Sequence, residues 1–414
     1  MKHFTELRVL FAGEPVGLLV LDKRQYRFQY DAHWLQQGFD LAPQTMNFNN
    51  EPQLAKQSLF QGLHGVFHDS LPDGWGMLLM DRFFKRQFAW DRHEVTSLDR
   101  LAYLGTRAMG ALEYQPTFPE DNIGESIDLG ALVEDAERVL AGKSRAVLNQ
   151  LRVLGGSPGG ARPKVTLALA EDSDECVAGI AKLPEGFSHW LVKFHGQADP
   201  KDMGRIEKAY AELALQAGLE VPPSRLIQVK HAREQDDFFA VQRFDRIGDL
   251  KLHMLTLSGY LYADHRLPSL DYNALLAATA VLTKDLREVE RAFRLMVFNV
   301  AMHNKDDHAK NFAFICGRED KWRLAPGYDL TFSTGMNNEH TTAINGVGNP
   351  TRKDLAVIAA AHGIHNWERI VVEVLRAVSG WRIVAKNYRV TKSSIEKIAK
   401  AIGSIEERLV SKRE

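Results

Sequence analysis

From residue 5 to residue 30 apolar positions alternate with period two, as in Leu18-Leu19-Val20-Leu21 and Tyr26-Arg27-Phe28, with breaks at Gly13-Glu14-Pro15 and Asp22-Lys23-Arg24. Such alternation between turn residues predicts a small antiparallel sheet. Helical spacing follows over residues 75–88 and 98–104, and Ala111-Leu112-Glu113-Tyr114 returns to strand character. Residues 116–126, rich in Pro, Asp, Glu and Gly, predict a boundary. Helical patterns over 127–140 and 144–154 then lead into a glycine-rich stretch and a strand at 165–170. A second strand is predicted at 190–194 and a helix at 205–217, with Ile206, Tyr210, Leu213 and Ala217 on one face. Two strands, 224–229 and 238–244, follow Val221-Pro222-Pro223, and beyond them helical patterns run through 270–282, 286–302 and most of 352–413. The chain therefore reads as an α+β protein, rich in strands early and in helices late.

Composition narrows the class. With 414 residues, 45% hydrophobic and 25% charged, the chain can bury a large core and divide into two or three domains. A net charge of -1 gives no overall electrostatic footprint for nucleic acid. Cys176 and Cys316 are the only cysteines and form no Cys-x-x-Cys pair, so neither a disulfide framework nor a zinc knuckle is indicated, and a reducing cytoplasm fits. Glu6, Arg8 and Glu14 interrupt the N-terminus. No stretch approaches the roughly eighteen apolar residues of a membrane span, so neither secretion nor membrane insertion is expected.

The richest chemistry lies in His303-Asn304-Lys305-Asp306-Asp307-His308-Ala309-Lys310-Asn311, followed by Gly327-Tyr328-Asp329-Leu330. An Asp, an Asn five residues later and a second Asp beyond short apolar segments can supply a base and two metal ligands, an interval shared with the catalytic loop of protein kinases. Two other readings compete: a solvated polar loop, and a transition-metal site made by His303, Asp306, Asp307 and His308. The distant oxygen donors Asn311 and Asp329 favour Mg²⁺. Upstream, Gly155-Gly156-Ser157-Pro158-Gly159-Gly160-Ala161-Arg162-Pro163-Lys164 is not a Walker A motif, but its glycines allow backbone N–H groups to approach a phosphate. Lys193, inside the apolar run Trp190-Leu191-Val192-Lys193-Phe194, and Glu207 in the next helix stand in the order of the strand Lys and helix Glu of kinases. A snorkelling lysine and an exposed glutamate are the simpler alternatives.

Together these segments resemble the HipA family of serine/threonine-protein kinase toxins from bacterial type II toxin–antitoxin modules. The likeness covers nearly the whole chain. It includes Asp69-Ser70-Leu71-Pro72-Asp73-Gly74-Trp75-Gly76, Gly159 to Lys164, Val241-Gln242-Arg243-Phe244-Asp245-Arg246, Asn304 to Phe312, and Pro326-Gly327-Tyr328-Asp329. The resemblance implies a bilobed, protein-kinase-like fold: a β-rich module over 1–117, a kinase N-lobe over 118–246 and an all-helical C-lobe over 247–414. It implies ATP and Mg²⁺ as cofactors and protein Ser/Thr as acceptor. Asp306 would be the general base, and Asn311 and Asp329 the magnesium ligands. Lys193 would grip phosphates, the loop of Gly159, Gly160, Ala161, Arg162, Pro163 and Lys164 would cover the nucleotide, and Gln242, Arg243 and Phe244 would supply hinge contacts to adenine. His308, Lys310 and Tyr328 would also border the nucleotide. Family members can autophosphorylate a serine of the Gly-rich loop, and Ser157 stands in the matching place.

By the same resemblance, the partners would be a small helix-turn-helix antitoxin and a protein substrate, plausibly an aminoacyl-tRNA synthetase, with DNA reached only through the antitoxin. The sequence departs from the best-known member over residues 252–268, which lack its Glu-Asp-Met-Cys-Gln stretch, and at Gln242, where that member has Glu. The first departure bears on the acceptor rather than on the chemistry. Asp306, His308 and Asn311 also fit the Asp-x-His-x-x-Asn pattern of aminoglycoside phosphotransferases and lipid kinases. A non-catalytic corepressor acting through its antitoxin is a third reading.

Overall fold

The computed structural model describes residues 2–55, 59–119, 127–143, 149–156, 159–178, 183–231 and 234–410. Its contacts group into two units, one of Met1–Lys201, Arg225–Leu255 and Cys316–Asp320, the other of Asp202–Ser224, Thr256–Ile315 and Lys321–Glu414. Among the described residues no helix is long and apolar enough to cross a membrane.

The first unit holds two five-stranded sheets. Strands β1 (Glu6–Phe11), β2 (Glu14–Asp22), β3 (Gln25–Tyr30), β4 (Gln53–Leu54) and β5 (Leu112–Gln115) run in the order β4-β3-β2-β1-β5, each neighbouring pair antiparallel. The period-two pattern seats Leu7, Val9, Phe11, Leu19 and Phe28 in the interior. Four helices, α1 (Ala32–Gln37), α2 (Gly65–His68), α3 (Gly74–Phe88) and α4 (Ser97–Leu104), lie between β3 and β5 in sequence. Helix α4 begins with a capping box in which Thr96 and Asp99 satisfy each other's backbone N–H groups.

Helices α5 (Leu129–Leu140) and α6 (Asn149–Gly155) precede the second sheet, made of β6 (Lys164–Ala170), β7 (Cys176–Val177), β8 (Phe187–Lys193), β9 (Ser224–His231) and β10 (Glu234–Gln242) in the order β7-β6-β8-β10-β9. Its core joins Trp75 and Leu79 of α3 to Leu132, Leu151, Leu154, Val165, Val192 and Phe238. Full burial of each such leucine contributes about 1.5–3 kcal/mol.

Both divisions expected from sequence, at 117 and 246, fall inside this unit. A buried ion network explains why. Asp245, 0% exposed, accepts from Arg243 Nη2 at 2.7 Å, from Arg246 Nη1 at 2.8 Å and from the backbone N–H of Gly110 at 2.7 Å. Arg246 returns a bond to Gly110 O at 2.8 Å, and Lys251 donates to Glu113 at 2.7 Å. The segment before β5 is thus fastened to the chain after β10. Burial raises the Asp245 pKa, and the two guanidiniums outweigh that, holding it well below the usual carboxylate range.

The second unit is mainly helical, as the sequence indicates. Helix α7 (Met203–Gln216), although it lies between strands of the first unit in sequence, belongs here because its stripe of Ile206, Ala209, Tyr210 and Leu213 packs on later helices. In chain order these are α8 (Leu257–Leu261), α9 (Tyr272–Thr283), α10 (Leu286–Ala301), α11 (Arg352–Ala361), α12 (Trp367–Val378), α13 (Trp381–Asn387) and α14 (Lys392–Val410). The buried helix α10 packs against α9, α12 and α14. Short strands at Ala313–Cys316 and Trp322–Leu324, and a two-residue parallel ladder between Leu270–Asp271 and Thr342–Ala343, add β structure that helical periodicity cannot announce.

Two stability predictions follow from buried charge. Asp245→Asn should lower unfolding free energy by about 3–5 kcal/mol in urea titrations, because it leaves Arg243 and Arg246 buried without their counter-ion. His253 is 0% exposed and donates through Nε2 to Leu41 O at 2.8 Å, and burial pushes its pKa down to about 4. Above the unfolded-state value near 6.5 both states are neutral. Between about pH 6.5 and 4 the unfolded chain takes up a proton that the folded one refuses, so stability falls with pH. The fall should be shallower in His253→Gln by about 3 kcal/mol across that window, measured as urea midpoints at each pH.

Candidate active site

The residues expected to carry the chemistry fall into two sets, one in each unit. In the second unit, α10 ends at Ala301 and the chain turns through His303, whose φ of 55° lies in the left-handed region. Tyr210, fully buried on α7, donates from its hydroxyl to Met302 O at 2.7 Å and so fixes the start of the turn. From there two adjacent acids take opposite roles: Asp306 is exposed and Asp307 is 0% exposed.

Asp307 is surrounded by donors. Its carboxylate accepts from the Tyr272 hydroxyl at 2.8 Å, His340 Nδ1 at 2.7 Å, and the backbone N–H groups of Thr341 and Thr342 at 2.9 and 3.3 Å. Its carbonyl accepts from the Thr342 hydroxyl at 2.5 Å. The network extends inward, since Asn299 donates to the Tyr272 oxygen at 3.0 Å and Asn304 donates to Asn299 Oδ1 at 2.9 Å. Burial, reinforced by the Asp307 charge, raises the Tyr272 pKa well above its ordinary value. A buried carboxylate with this many donors is a rigid anchor.

Asp306 sits one residue from that anchor. Its carbonyl accepts from Asn311 Nδ2 at 2.8 Å, which ties the expected base to the expected metal ligand and leaves the Asn oxygen as the acceptor end of the amide. The Tyr328 hydroxyl donates to Lys310 O at 2.5 Å, bringing the segment that carries Asp329 against the same loop. Asp329 has φ 55°, a conformation that Asp tolerates better than most residues, and is half-buried. His308 is half-buried with its ring 5.4 Å from that of His265. The structure thus joins Asp306 to Asn311 and Lys310 to Tyr328 by direct hydrogen bonds, with Lys310 next to Asn311 and Asp329 next to Tyr328 in the chain.

Of the transition-metal alternative for this segment, Asp307 is spent on protein donors, while His303 Nδ1 donates to Ser333 O at 2.9 Å and leaves Nε2 as its other ring nitrogen. Among the described residues the one group of three His, Cys, Asp or Glu ligand atoms within 4.8 Å is Asp91, His93 and Glu94, exposed and in the first unit.

Lys305 was not singled out by sequence, yet it is 1% exposed and donates to Asn338 O at 2.5 Å and Asn349 Oδ1 at 2.8 Å. Burial, with Arg408 nearby, pushes its pKa down to about 8. Beside it, Gly335 has φ 62°, and a Cβ there would stand 2.1 Å from Glu339 O. Lys305, Asp307 and His340 together bind residues 335–349 to the catalytic segment. A buried charge next to an exposed one in Lys-Asp-Asp was the available signal, but sequence alone does not tell which Asp faces inward.

In the first unit, Lys164 and Lys193 are 5% and 7% exposed and stand directly opposite each other across β6 and β8. Two ammonium groups so placed concentrate positive charge at one point of the sheet. Lys164 Nζ donates to Gly159 O at 2.6 Å, closing the Gly-rich turn on itself. Gly160 has φ 95°, and a Cβ there would meet Lys164 Nζ at 2.3 Å, so glycine is required. The turn is clasped from outside by the start of α3: Asp73 accepts from Gly160 N–H, and Trp75 N–H donates to Gly160 O at 3.0 Å. A Cβ on Gly74 would lie 2.7 Å from Ala161 Cα, which gives the Asp73-Gly74-Trp75 motif its role. Ala161 is exposed, Arg162 Nε pairs with Asp199 at 3.0 Å, and Pro163 O accepts from Phe194 N–H at 2.8 Å.

At the expected hinge, Gln242 ends β10 opposite Trp190 and Phe244 is half-buried. Arg243 donates its N–H to His189 O at 2.8 Å, and its guanidinium is engaged with Asp245. Glu207, on α7, is 2% exposed, in place of the exposed glutamate that was the simpler alternative. Ser157 lies outside the described residues.

A family model described as the HipA-like C-terminal domain matches residues 156–404, and one described as the HipA N-terminal domain matches residues 7–115. No curated protein matches the chain. Among solved structures, HipA of the Shewanella oneidensis MR-1 toxin–antitoxin system, in a complex with HipB and its operator DNA, matches with a TM-score of 0.71 at 16% identity, covering 98% of this chain and 97% of that one. The Helicobacter pylori proinflammatory kinase CtkA matches at a TM-score of 0.37 and 12% identity over 54% of this chain and 88% of that one, too distant to carry an argument. With the C-terminal model alone spanning more than half of the sequence, and the fold shared along its length, the chain belongs to the HipA family.

Proposed function

We propose that this HipA-family chain is a toxin kinase that transfers the γ-phosphate of ATP to a serine or threonine of a protein. The observation that carries the reading is the division of labour between Asp306 and Asp307. An exposed carboxylate, held beside a buried and fully hydrogen-bonded one and linked through its own carbonyl to Asn311, is a base whose position does not relax when substrate arrives. Asp306 takes the proton of the acceptor hydroxyl. Asn311 and Asp329 offer the hard oxygen donors that Mg²⁺ accepts, and no thiol or imidazole competes in that set. Bound magnesium would offset the negative charge of the phosphates. In the first unit the opposed Lys164 and Lys193 supply the positive charge that phosphate oxygens need, and the Gly-rich turn supplies backbone N–H groups. Gln242 and Phe244 are the side chains offered to adenine, and His308 and Lys310 those nearest in sequence to the transferred group.

The Shewanella neighbour, whose complex includes HipB and operator DNA, supports the expectation of a DNA-binding antitoxin as partner here, with DNA reached through it. The free thiols Cys176 and Cys316 suit a reducing cytoplasm.

Asp306→Asn should fold like the wild type and lose about 10²–10⁴-fold of phosphoryl transfer from labelled ATP to protein in a cell lysate. Asp307→Asn should instead lose about 3 kcal/mol of stability in urea, since it removes the charge that four donors share. Unchanged transfer by the Asp306 variant would remove the base assignment, and label appearing only in small molecules would replace the protein acceptor. The labelled acceptor, identified by mass spectrometry, would show whether it is an aminoacyl-tRNA synthetase. Autophosphorylation at Ser157 would place a dianion beside the glycines, where it competes with ATP for the same donors. Intact-mass analysis after ATP incubation should then show one added phosphate that is absent from Ser157→Ala, with activity declining only in the parent.

A further inference from the structure

Between Asp329 and helix α11 the chain makes a tight turn for which the chemistry above has no use. Gly335, Asn337 and Asn338 have φ of 62°, 55° and 59°, all in the left-handed region. Apart from Gly, Asn and Asp, few residues accept that backbone. A Cβ on Gly335 would stand 2.9 Å from Lys305 Cβ, so the turn rests directly on the residue that precedes Asp306.

The turn is pinned there at both limbs and at its apex. On the incoming limb Asn304 and Ser333 form a parallel bridge, and Lys305 N–H donates to Ser333 O at 3.4 Å. On the outgoing limb Thr341 N–H donates to Lys305 O at 3.1 Å. Between them the buried Lys305 Nζ donates to Asn338 O at 2.5 Å. What this construction presents to solvent is Met336, 67% exposed. A single exposed apolar side chain is ordinary. Leu286 and Ile383 are as exposed, but they lie on the regular helices α10 and α13, where the helical period turns some position outward whatever its type. Met336 is turned outward by left-handed neighbours and a buried ammonium, and such backbone persists only where the surroundings over-determine it, as they do at functional surfaces.

We infer that Met336 determines acceptor specificity, by meeting an apolar side chain that flanks the serine or threonine to be phosphorylated. The inference rests on the kinase reading and goes beyond it, to the chemistry of the acceptor segment. Asp306 follows Lys305, Met336 follows Gly335, and Lys305 and Gly335 lie against each other, so base and thioether are exposed on one pinned surface of the second unit. An extended acceptor advances about 3.3 Å per residue, and with its hydroxyl at Asp306 a residue one or two places away falls over Met336. The flexible, polarisable thioether suits an apolar side chain of any branching.

Serine peptides on an alanine background, with one flanking position fixed at a time, test this with labelled ATP, Mg²⁺ and the full-length protein. Leu, Ile or Met at one flanking position should raise kcat/KM at least about tenfold over Asp or Lys there. Met336→Lys, a change at an exposed site, should reverse that order in favour of Asp at the same position and should act through KM for the peptide. Met336→Leu should keep the parent's preference. Preference at no flanking position, or the same preference in Met336→Lys, would overturn the inference while phosphoryl transfer stands. If only folded proteins of a lysate take label, the set labelled by Met336→Lys should differ from the parent's, and identical labelling would equally overturn it. Label reaching neither peptide nor protein removes the kinase reading itself, and this inference with it.

Discussion

The carboxylate of Asp307 is the constraint on which the candidate active site depends. Alone in a protein interior, an ionised carboxylate would be expelled or neutralised. Here a phenol, an imidazole and two backbone N–H groups converge on it, and those donors come from Tyr272 on α9 and from residues 340–342, well beyond the catalytic segment in sequence. One side chain therefore fixes the relative position of α9, residues 303–311 and residues 335–349. Asp306 inherits its position from this bond set, because a residue bracketed by the buried Lys305 and Asp307 has little freedom of its own.

Much of this was legible in sequence, and the limits are physical. Periodicity located the main helices and strands because the core of each unit is built on continuous stripes, such as Ile206, Tyr210 and Leu213 on α7. It could not locate the strands Ala313–Cys316 and Trp322–Leu324, which are too short for a period to show. The site residues were named because their types and spacing match a known chemistry. What the pattern could not decide was orientation. Asp306 and Asp307 are identical letters, and only the donors supplied by residues 272 and 340–342 determine which one is buried. The same holds for Arg243: a motif places it at the hinge, and only the structure shows its guanidinium engaged by Asp245.

The boundary expected at 117 lies beside the end of the N-terminal family match at residue 115, yet contacts cross it for a related reason. Composition marks residues 116–126 as a linker, and a linker usually separates bodies. Here the segments on either side remain fastened, by Asp245 to Gly110 and Lys251 to Glu113, and by Trp75 and Leu79 of α3 entering the core of the second sheet. Contacts between residues more than a hundred positions apart leave no mark in local composition. Helix α7 shows the converse: it lies in sequence among the strands of the first unit, yet its apolar face is claimed by α12 and α13.

The clasp at Asp73 ties the N-terminal region to the Gly-rich turn. The Gly-rich turn contains residues that only glycine can occupy, and such a turn is entropically costly to hold in one shape. Lys164 closes it from within through Gly159 O, but in the proposed reading that lysine also meets phosphate, so it would not serve as a fixed latch at all stages. Asp73 and Trp75 hold Gly160 from an element whose own position is set by the packed core around Leu79. A turn anchored by α3 can change its inner hydrogen bonds when phosphate arrives without losing its place. In the proposed reading, the strand-rich N-terminal region then forms the outer wall of the phosphate site, held there by the packing of α3.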